Sequence, residues 1–205
     1  MGDKIQMNKN TLAALKTELE EYKNALPVFE MKEEQLKGVV RSIEESIAIL
    51  RQEIQESNSQ LQAWVGVLVE DNQALISAVR VDRVVTEKME IAGVIVSMFE
   101  DIIFKDAEVD LFTTPLWTDT AIEVIIDQKT RHVILDIEEK KLELLQEELA
   151  EARRMKNALK EVFIPETIEN IRKIEIYLGD VERLAIGCAK LVKKKKQHKL
   201  AEHDR

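Results

Sequence analysis

Glycine and proline are scarce in this sequence. Six glycines and three prolines among 205 residues amount to roughly 4%, where an average chain has ~12%. A fold that turns often, such as a many-stranded barrel or sandwich, is excluded. Aromatic residues make up only 4%, so the large rings that fill most compact cores are missing and burial along a narrow strip fits better. The single cysteine, Cys188, cannot form an internal disulfide and points to a reducing compartment. Its place in a helical pattern predicts a small buried apolar side chain. No apolar run nears the ~18 residues that cross a bilayer, and Met1 to Asn10 lacks the apolar core of a signal peptide. The expectation is a soluble, cytosolic chain with no direct membrane insertion.

Recognisable chemistry is also missing. There is no G-x-x-x-x-G-K-[ST] loop, and the glycines at 2, 38, 66, 93, 179 and 187 are too scattered to cradle a nucleotide. His132, His198 and His203 form neither an HExxH pair nor a zinc-like spacing with Cys188. The many carboxylates read as solvated i,i+4 partners of lysine rather than as catalytic dyads. The expectation is no catalytic, cofactor-binding or metal residue, and a chain that is not an enzyme. A net charge of -9 and a pI of about 5.1 repel phosphate and argue against nucleic acid as a partner. That charge is uneven. Arg172 to Arg205 holds ten basic and five acidic residues, whereas Phe99 to Glu138 holds ten acidic and three basic, so the two regions should face different partners.

What the sequence does contain is helix-forming composition in a strict repeat. Ala, Glu, Lys, Leu and Arg supply roughly 46% of the chain. Alternating steps of three and four from Leu12 pass through Leu15, Leu19, Tyr22, Leu26, Phe29, Glu33, Leu36, Val40, Ile43, Ile47, Leu50, Ile54, Ser57, Leu61 and Trp64. Fourteen of these sixteen positions are apolar. A 3.5-residue repeat held this long keeps one narrow seam toward a partner helix and imposes a left-handed supercoil. A second seam runs through Leu135, Leu142, Leu145, Leu149, Ala152, Lys156, Leu159 and Phe163. After Pro165 it resumes in a shifted phase through Ile171, Ile174, Leu178, Val181, Ala185, Cys188 and Val192. Thr114-Pro115 offers an N-cap followed by a first-turn proline.

Between the seams, Val79 to Ile91 alternates apolar and polar residues as a strand with one covered face. Ala92-Gly93 can turn the chain, and Val94 to Phe104 is β-branched enough to return. The predicted fold is mainly α: a long antiparallel left-handed coiled-coil hairpin, with a β-hairpin projecting from its far end; dimerisation through either seam is the alternative use of the same pattern. Its parts are an N-terminal helix over 1–75, the β-hairpin and an acidic loop over 76–114, and a C-terminal helix with a basic tail over 115–205.

Pairing Leu75 with Pro115 sets a register in which opposite residue numbers add to about 190. Pro27 then lies level with Pro165, and each removes a helical hydrogen bond, which predicts a bend. Glu33 and Lys156, the charges that interrupt the two seams, also come level as a candidate register pair. The run Lys193 to Lys196 has three readings: a solvated helix end, favoured by the helix dipole; a contact for an acidic protein collar; or a membrane or nucleic-acid contact, for which four lysines without adjacent aromatic or apolar anchors are a weak signal.

Several stretches, in this order and spacing, resemble the D subunit of V/A-type rotary ATPases, the central rotor shaft: Met7-Asn8-Lys9 through Leu15; Ile91-Ala92-Gly93-Val94 with Phe99-Glu100-Asp101; Asp110 to Trp117; Val162-Phe163-Ile164-Pro165; and Ile174 to Asp180. The resemblance covers nearly the whole chain. The lysine run and His198 to Arg205 lie outside it. It implies a non-catalytic shaft that transmits torque between the ATPase ring and the membrane rotor, coupling ATP synthesis or hydrolysis to proton or sodium transport at the cytoplasmic face.

The implied partners are the hexameric ring of catalytic and regulatory ATPase subunits, the small F subunit of the stalk, and the funnel-like C or d subunit on the membrane rotor ring. No cofactor is implied. Ring contacts are expected at Lys9, Lys16, Arg172, Lys173, Arg183 and Lys190, and stalk-base contacts at Val81, Val85, Met89, Gly93, Phe99 and Trp117. The alternative from another class is a coiled-coil chaperone or adaptor of prefoldin-like shape, which also joins two helices through a β-hairpin.

Overall fold

The computed structural model describes residues 6–62, 79–105 and 117–203. Helix α1 spans Lys9–Gln62, strand β1 Val81–Ile91, strand β2 Val94–Phe104 and helix α2 Thr118–Ala158. A π-turn over Leu159–Phe163 leads without a break into helix α3, Ile164–His203. The chain is thus mainly α with an antiparallel β-hairpin between its helices, the class that the two seams predict. Trp64, the continuation of the first helix to Leu75, the loop from 106 and the Thr114-Pro115 cap fall outside the described residues, as does the side chain of Leu61.

Asn8 opens α1: its Oδ1 accepts the Thr11 N–H at 2.7 Å and its carbonyl accepts the Leu12 N–H at 3.1 Å. The side-chain oxygen thereby satisfies one of the helix's unpaired first-turn donors.

The contacts divide the chain into two compact units. One joins residues 6–31 to 153–203. Here Lys9 meets Glu182 at 3.9 Å and Lys16 meets Glu175 at 2.7 Å. The interval is one heptad on both helices, in opposite directions, so the pairing is antiparallel. Leu12, Leu15, Leu19, Tyr22, Leu26 and Phe29 are all half-buried, while Leu159, Thr167, Ile171 and Ile174 are buried. Leu178 is half-buried, and Phe163 is exposed at its edge but stacks on Tyr22 with ring centroids 5.6 Å apart.

The shifted phase of the second seam has a backbone cause. Three-four stepping onward from Leu159 would place Glu166, Asn170 and Lys173 in the seam, yet Thr167, Ile171 and Ile174 are the buried residues, each one position later. The Ile164 N–H bonds to the Leu159 carbonyl, an i to i−5 link, and a π-turn of this kind adds one residue to the helix. Pro165 follows directly. Its missing donor and its ring disfavour an ordinary turn at that point, and the wider turn relaxes both demands.

Two expectations fail at the end of α3. Cys188 is exposed, not buried, and Val181 is exposed too. For Cys188 the reason is length: among the described residues α1 begins at Lys9, opposite Glu182, so residues 183–197 have no α1 turn to cover them and all are exposed, while Val181 lies level with the first turn of α1, at the margin of that cover.

The other unit joins 32–62, 79–105 and 117–152. Arg51 bonds Glu139 at 2.7 Å and Gln146 donates to Glu44 at 3.0 Å, again one heptad apart on both helices. Numbers in these pairs add to 190, and those of Lys9–Glu182 and Lys16–Glu175 to 191. Glu53 with Arg131 and Lys32 with Glu148 add to 184 and 180, so the side-chain pairs of this unit scatter about its register and do not fix it to a single value. The core is Leu36, Val40, Ile43, Ile47, Leu145, Leu149 and Ala152 together with Val96 of β2, and Leu135 and Leu142 pack against it. Leu50 is half-buried.

The β-hairpin does not project. Val96 is 1% exposed within the helix core, and Ile91, Ala92 and Val94 around the turn pack on the same cluster. The strands therefore fold back along the helices. Standing free, these residues would expose apolar surface whose burial is worth about 1.5–3 kcal/mol for a side chain such as Val96. The covered face also lies more on β2 than on β1, where only Val81, Val85 and Ile91 are half-buried. At the hairpin's foot Lys129 Nζ donates to the Val79 carbonyl at 2.7 Å, and the Lys105 N–H to the Arg80 carbonyl at 2.8 Å.

The turn has φ of 51° at Ala92 and 85° at Gly93, the two positive values of a tight hairpin turn with the twist that strands favour. Glycine adopts this freely, whereas Ala92 is held there at a cost of about 1 kcal/mol. Ala92→Gly is expected to raise stability by about 0.5 kcal/mol in urea unfolding, because the strain relieved exceeds the partly buried methyl lost.

Candidate interaction surfaces

The expected ring-contact cations all stand on the first unit, and four of the six are engaged within the chain. Lys9 and Lys16 bridge to Glu182 and Glu175, Lys173 holds Glu169 at 2.8 Å, and Arg183 lies 3.4 Å from Asp180. Arg172 and Lys190 are exposed. The Lys173 hydrogen bond, then its charge, lowers the Glu169 carboxyl below the ordinary value, with Arg172 adding to the effect. All these groups are solvated, so each pair contributes little to stability and can be exchanged for a partner's charge at small cost.

Beyond Glu182 the surface changes character. Leu184 is 70% exposed, and Ile186, Leu191 and Val192 are also largely open. Leu184 and Leu191 were not singled out from the sequence, although they stand one heptad apart beside Val181 and Cys188 and carry the same periodic signal. Lys193 to Lys196 follow on the same helix and are exposed.

On the second unit, the expected stalk-base residues are spread out. Met89 lies opposite Val96 and is exposed, as is Gly93 at the turn. Phe99 lies opposite Thr86 and Val85 opposite Asp101, both half-buried like Val81. Trp117, also half-buried, accepts the Ala121 N–H at 3.0 Å through its carbonyl and so opens α2. Sequence reading missed the acidic groove on this unit, where Glu53, Glu56, Glu123 and Asp127 border a hollow of about 460 Å³ with Arg131. Arg131 spans it, 2.8 Å from Asp127 and 3.0 Å from Glu53, and the Asp127 hydrogen bond raises its pKa still further.

Glu33 is buried, with Lys37 at 2.8 Å one turn along the same helix, and Lys156 is half-buried. Pro27 sits inside α1, which continues through it, and Pro165 is the second residue of α3.

Tyr22 donates to Glu18 Oε1 at 2.5 Å. That bond raises its pKa above the ordinary phenol value, and burial with the charges of Glu18 and Glu21 acts in the same direction. A raised value means that the fold favours the protonated phenol. The stabilisation is therefore complete below the ordinary phenol pKa and is lost as pH rises through Tyr22's own, higher value. In a Tyr177→Phe background, ultraviolet titration is expected to give a midpoint above that of a free phenol, moving back down on Glu18→Gln.

Among the described residues, no group of His, Cys, Asp or Glu is arranged to hold a metal ion, and no helix is long and apolar enough to cross a membrane. Antiparallel helix pairs, a hairpin laid against one of them, open grooves and an uncovered helix end define the class: a helical subunit whose features are surfaces for other proteins.

The comparisons with known proteins agree. A family model described as the ATP synthase D subunit matches residues 11–194. The V-type ATP synthase D subunit of Borreliella burgdorferi is 34% identical over 190 residues, covering 93% of this chain and 94% of its own. Those of Chlamydia abortus and Chlamydia muridarum are 25% and 27% identical, over 100% and 97% of this chain and 99% and 100% of theirs. The chain belongs to the family of ATP synthase D subunits, with subunits of V-type ATP synthases as its relatives, and the prefoldin-like alternative is set aside.

Proposed function

We propose that this subunit is the central shaft of a V-type rotary ATPase, passing torque between the ATPase ring and the membrane rotor without catalysing a reaction itself. The observation that carries the reading is the uncovered end of α3. An apolar stripe beside a lysine run, beyond the first turn of α1, needs a protein socket to leave water, and a ring of ATPase subunits supplies one. In this reading Lys9, Lys16, Arg172, Lys173, Arg183 and Lys190 face the ring. Val81, Val85, Met89, Gly93, Phe99 and Trp117 face the small F subunit and the funnel-like subunit above the rotor ring, at the cytoplasmic side of the membrane.

Torque needs a shaft that resists twisting. Cross-helix pairs at heptad intervals, such as Arg51–Glu139 and Glu44–Gln146, oppose sliding of one helix on the other. Pro27 and Pro165, the latter beside the π-turn, would supply the bend that presents different faces to equivalent ring sites.

The test is reconstitution. Tagged full chain should recover ATPase subunits and the F subunit, and attaching a crosslinker at Lys190→Cys in a Cys188→Ser background should trap the shaft in the ring and stop ATP hydrolysis until the link is cleaved. Recovery of unfolded client proteins instead, or hydrolysis that continues at full rate through the crosslink, would reject the shaft.

A further inference from the structure

We propose that the uncovered end of α3 is also a self-association surface, on which a second copy of this chain docks antiparallel with the two helices crossing at Cys188. The inference does not depend on the shaft reading. Were the end housed in a ring, the same face would be covered there, so the dimer belongs to the unassembled chain.

Geometry defines the face. At 100° per residue, Val181, Leu184, Ala185, Cys188, Leu191 and Val192 fall in a band roughly 120° wide with Cys188 at its middle, and all six are exposed. Reversing one helix about Cys188 sets Leu184 against the second copy's Val192 and Ala185 against its Leu191, so the stripe is complementary to itself.

Charge chooses the direction. The same centring puts Glu182 and Lys196 of the second copy on one flank, and Asp180 and its Lys194 on the other, each pair within two residues of level, whereas a parallel pairing would stack Lys193 to Lys196 on themselves. Glu182 and Asp180 are held only at 3.9 Å by Lys9 and 3.4 Å by Arg183, on exposed surface, and remain open to a second cation. Two copies of this short stripe bury on the order of 1,000 Å², the low end for specific association, which fits a dimer that forms in the ~10–100 μM range and gives way to a larger interface.

Sedimentation velocity of the full chain under reducing conditions, from ~2 to ~200 μM, is expected to show the mass rising from 23.6 kDa toward twice that value. Leu191→Glu, a substitution on exposed helix surface whose fold is checked by circular dichroism, should weaken the association at least ~10-fold. For orientation, Glu182→Cys and Lys196→Cys copies, both in a Cys188→Ser background, should be joined by a short bis-maleimide several-fold faster when mixed than either alone. Like positions in the antiparallel pair lie about 18 and about 24 Å apart along the axis. A chain monomeric to ~200 μM, a Leu191→Glu variant that associates as the parent does, or like-with-like links outrunning mixed ones would overturn the proposal. A monomer that still recovers ATPase subunits overturns it while leaving the shaft standing.

Discussion

Leu145→Ala is expected to lower the unfolding free energy by about 3–5 kcal/mol, and Leu36→Ala by a similar amount. Both side chains are 0% exposed and belong to one cluster with Val40, Ile43, Leu149 and Val96. The loss has two parts: transfer of the missing methyl and methylene groups, and the cavity that two stiff helices cannot close. The cluster is a narrow strip with few large rings, so no neighbouring layer can move in. Leu184→Ala is the control, because the same atoms removed from a 70% exposed site should change stability by less than about 0.5 kcal/mol. Urea unfolding followed by circular dichroism at low micromolar concentration measures all three. Equal losses at 145 and 184 would contradict the assigned core.

Val96→Asp should act differently, detaching one element rather than loosening the whole. At 1% exposure the new carboxylate would sit unpaired among Leu36, Leu145 and their neighbours, at a cost of about 3–5 kcal/mol. Leaving the helix surface avoids that cost, because the two strands keep their own ladder from Val81–Phe104 to Ile91–Val94. The expected outcome is retained helical content with rapid proteolytic cleavage between 79 and 105. Ile95→Asp, on the opposite face and 67% exposed, should leave the cleavage rate near that of the parent. If Ile95→Asp released the hairpin and Val96→Asp did not, the strand would be facing the other way.

The elements themselves were legible because each is written in local chemistry. The heptad of leucines and isoleucines marks the seams, and alternation followed by Ala92-Gly93 marks the two strands and the turn between them to within two residues. What escaped was long-range. Nothing in Val94 to Met98 says whether its apolar face meets a partner protein or its own helices; the chain's return along Leu36 to Ile47 decides that. Cys188 carries the same periodic signal as Ile174, and only the position at which α1 starts makes one exposed and the other buried. Likewise, the candidate ring contacts are exposed charges whose periodicity is that of any solvated helix face, so sequence narrows them to a region and no further. The shifted phase after Pro165 was visible, but its cause lies in backbone hydrogen bonding, which side-chain patterns do not report.

That π-turn decides which residues line the seam. Thr167, Ile171 and Ile174 face inward because one residue more than an α-helix needs is accommodated between Leu159 and Ile164. Closing the same residues into an ordinary α-turn would rotate everything downstream by roughly 100° about its own axis and bring Glu166, Asn170 and Lys173 inward. Deleting a single residue from the turn would instead remove the surplus, and a regular helix would keep the inward set. The bulge is thus the backbone's way of absorbing one extra letter without exchanging a greasy stripe for a polar one.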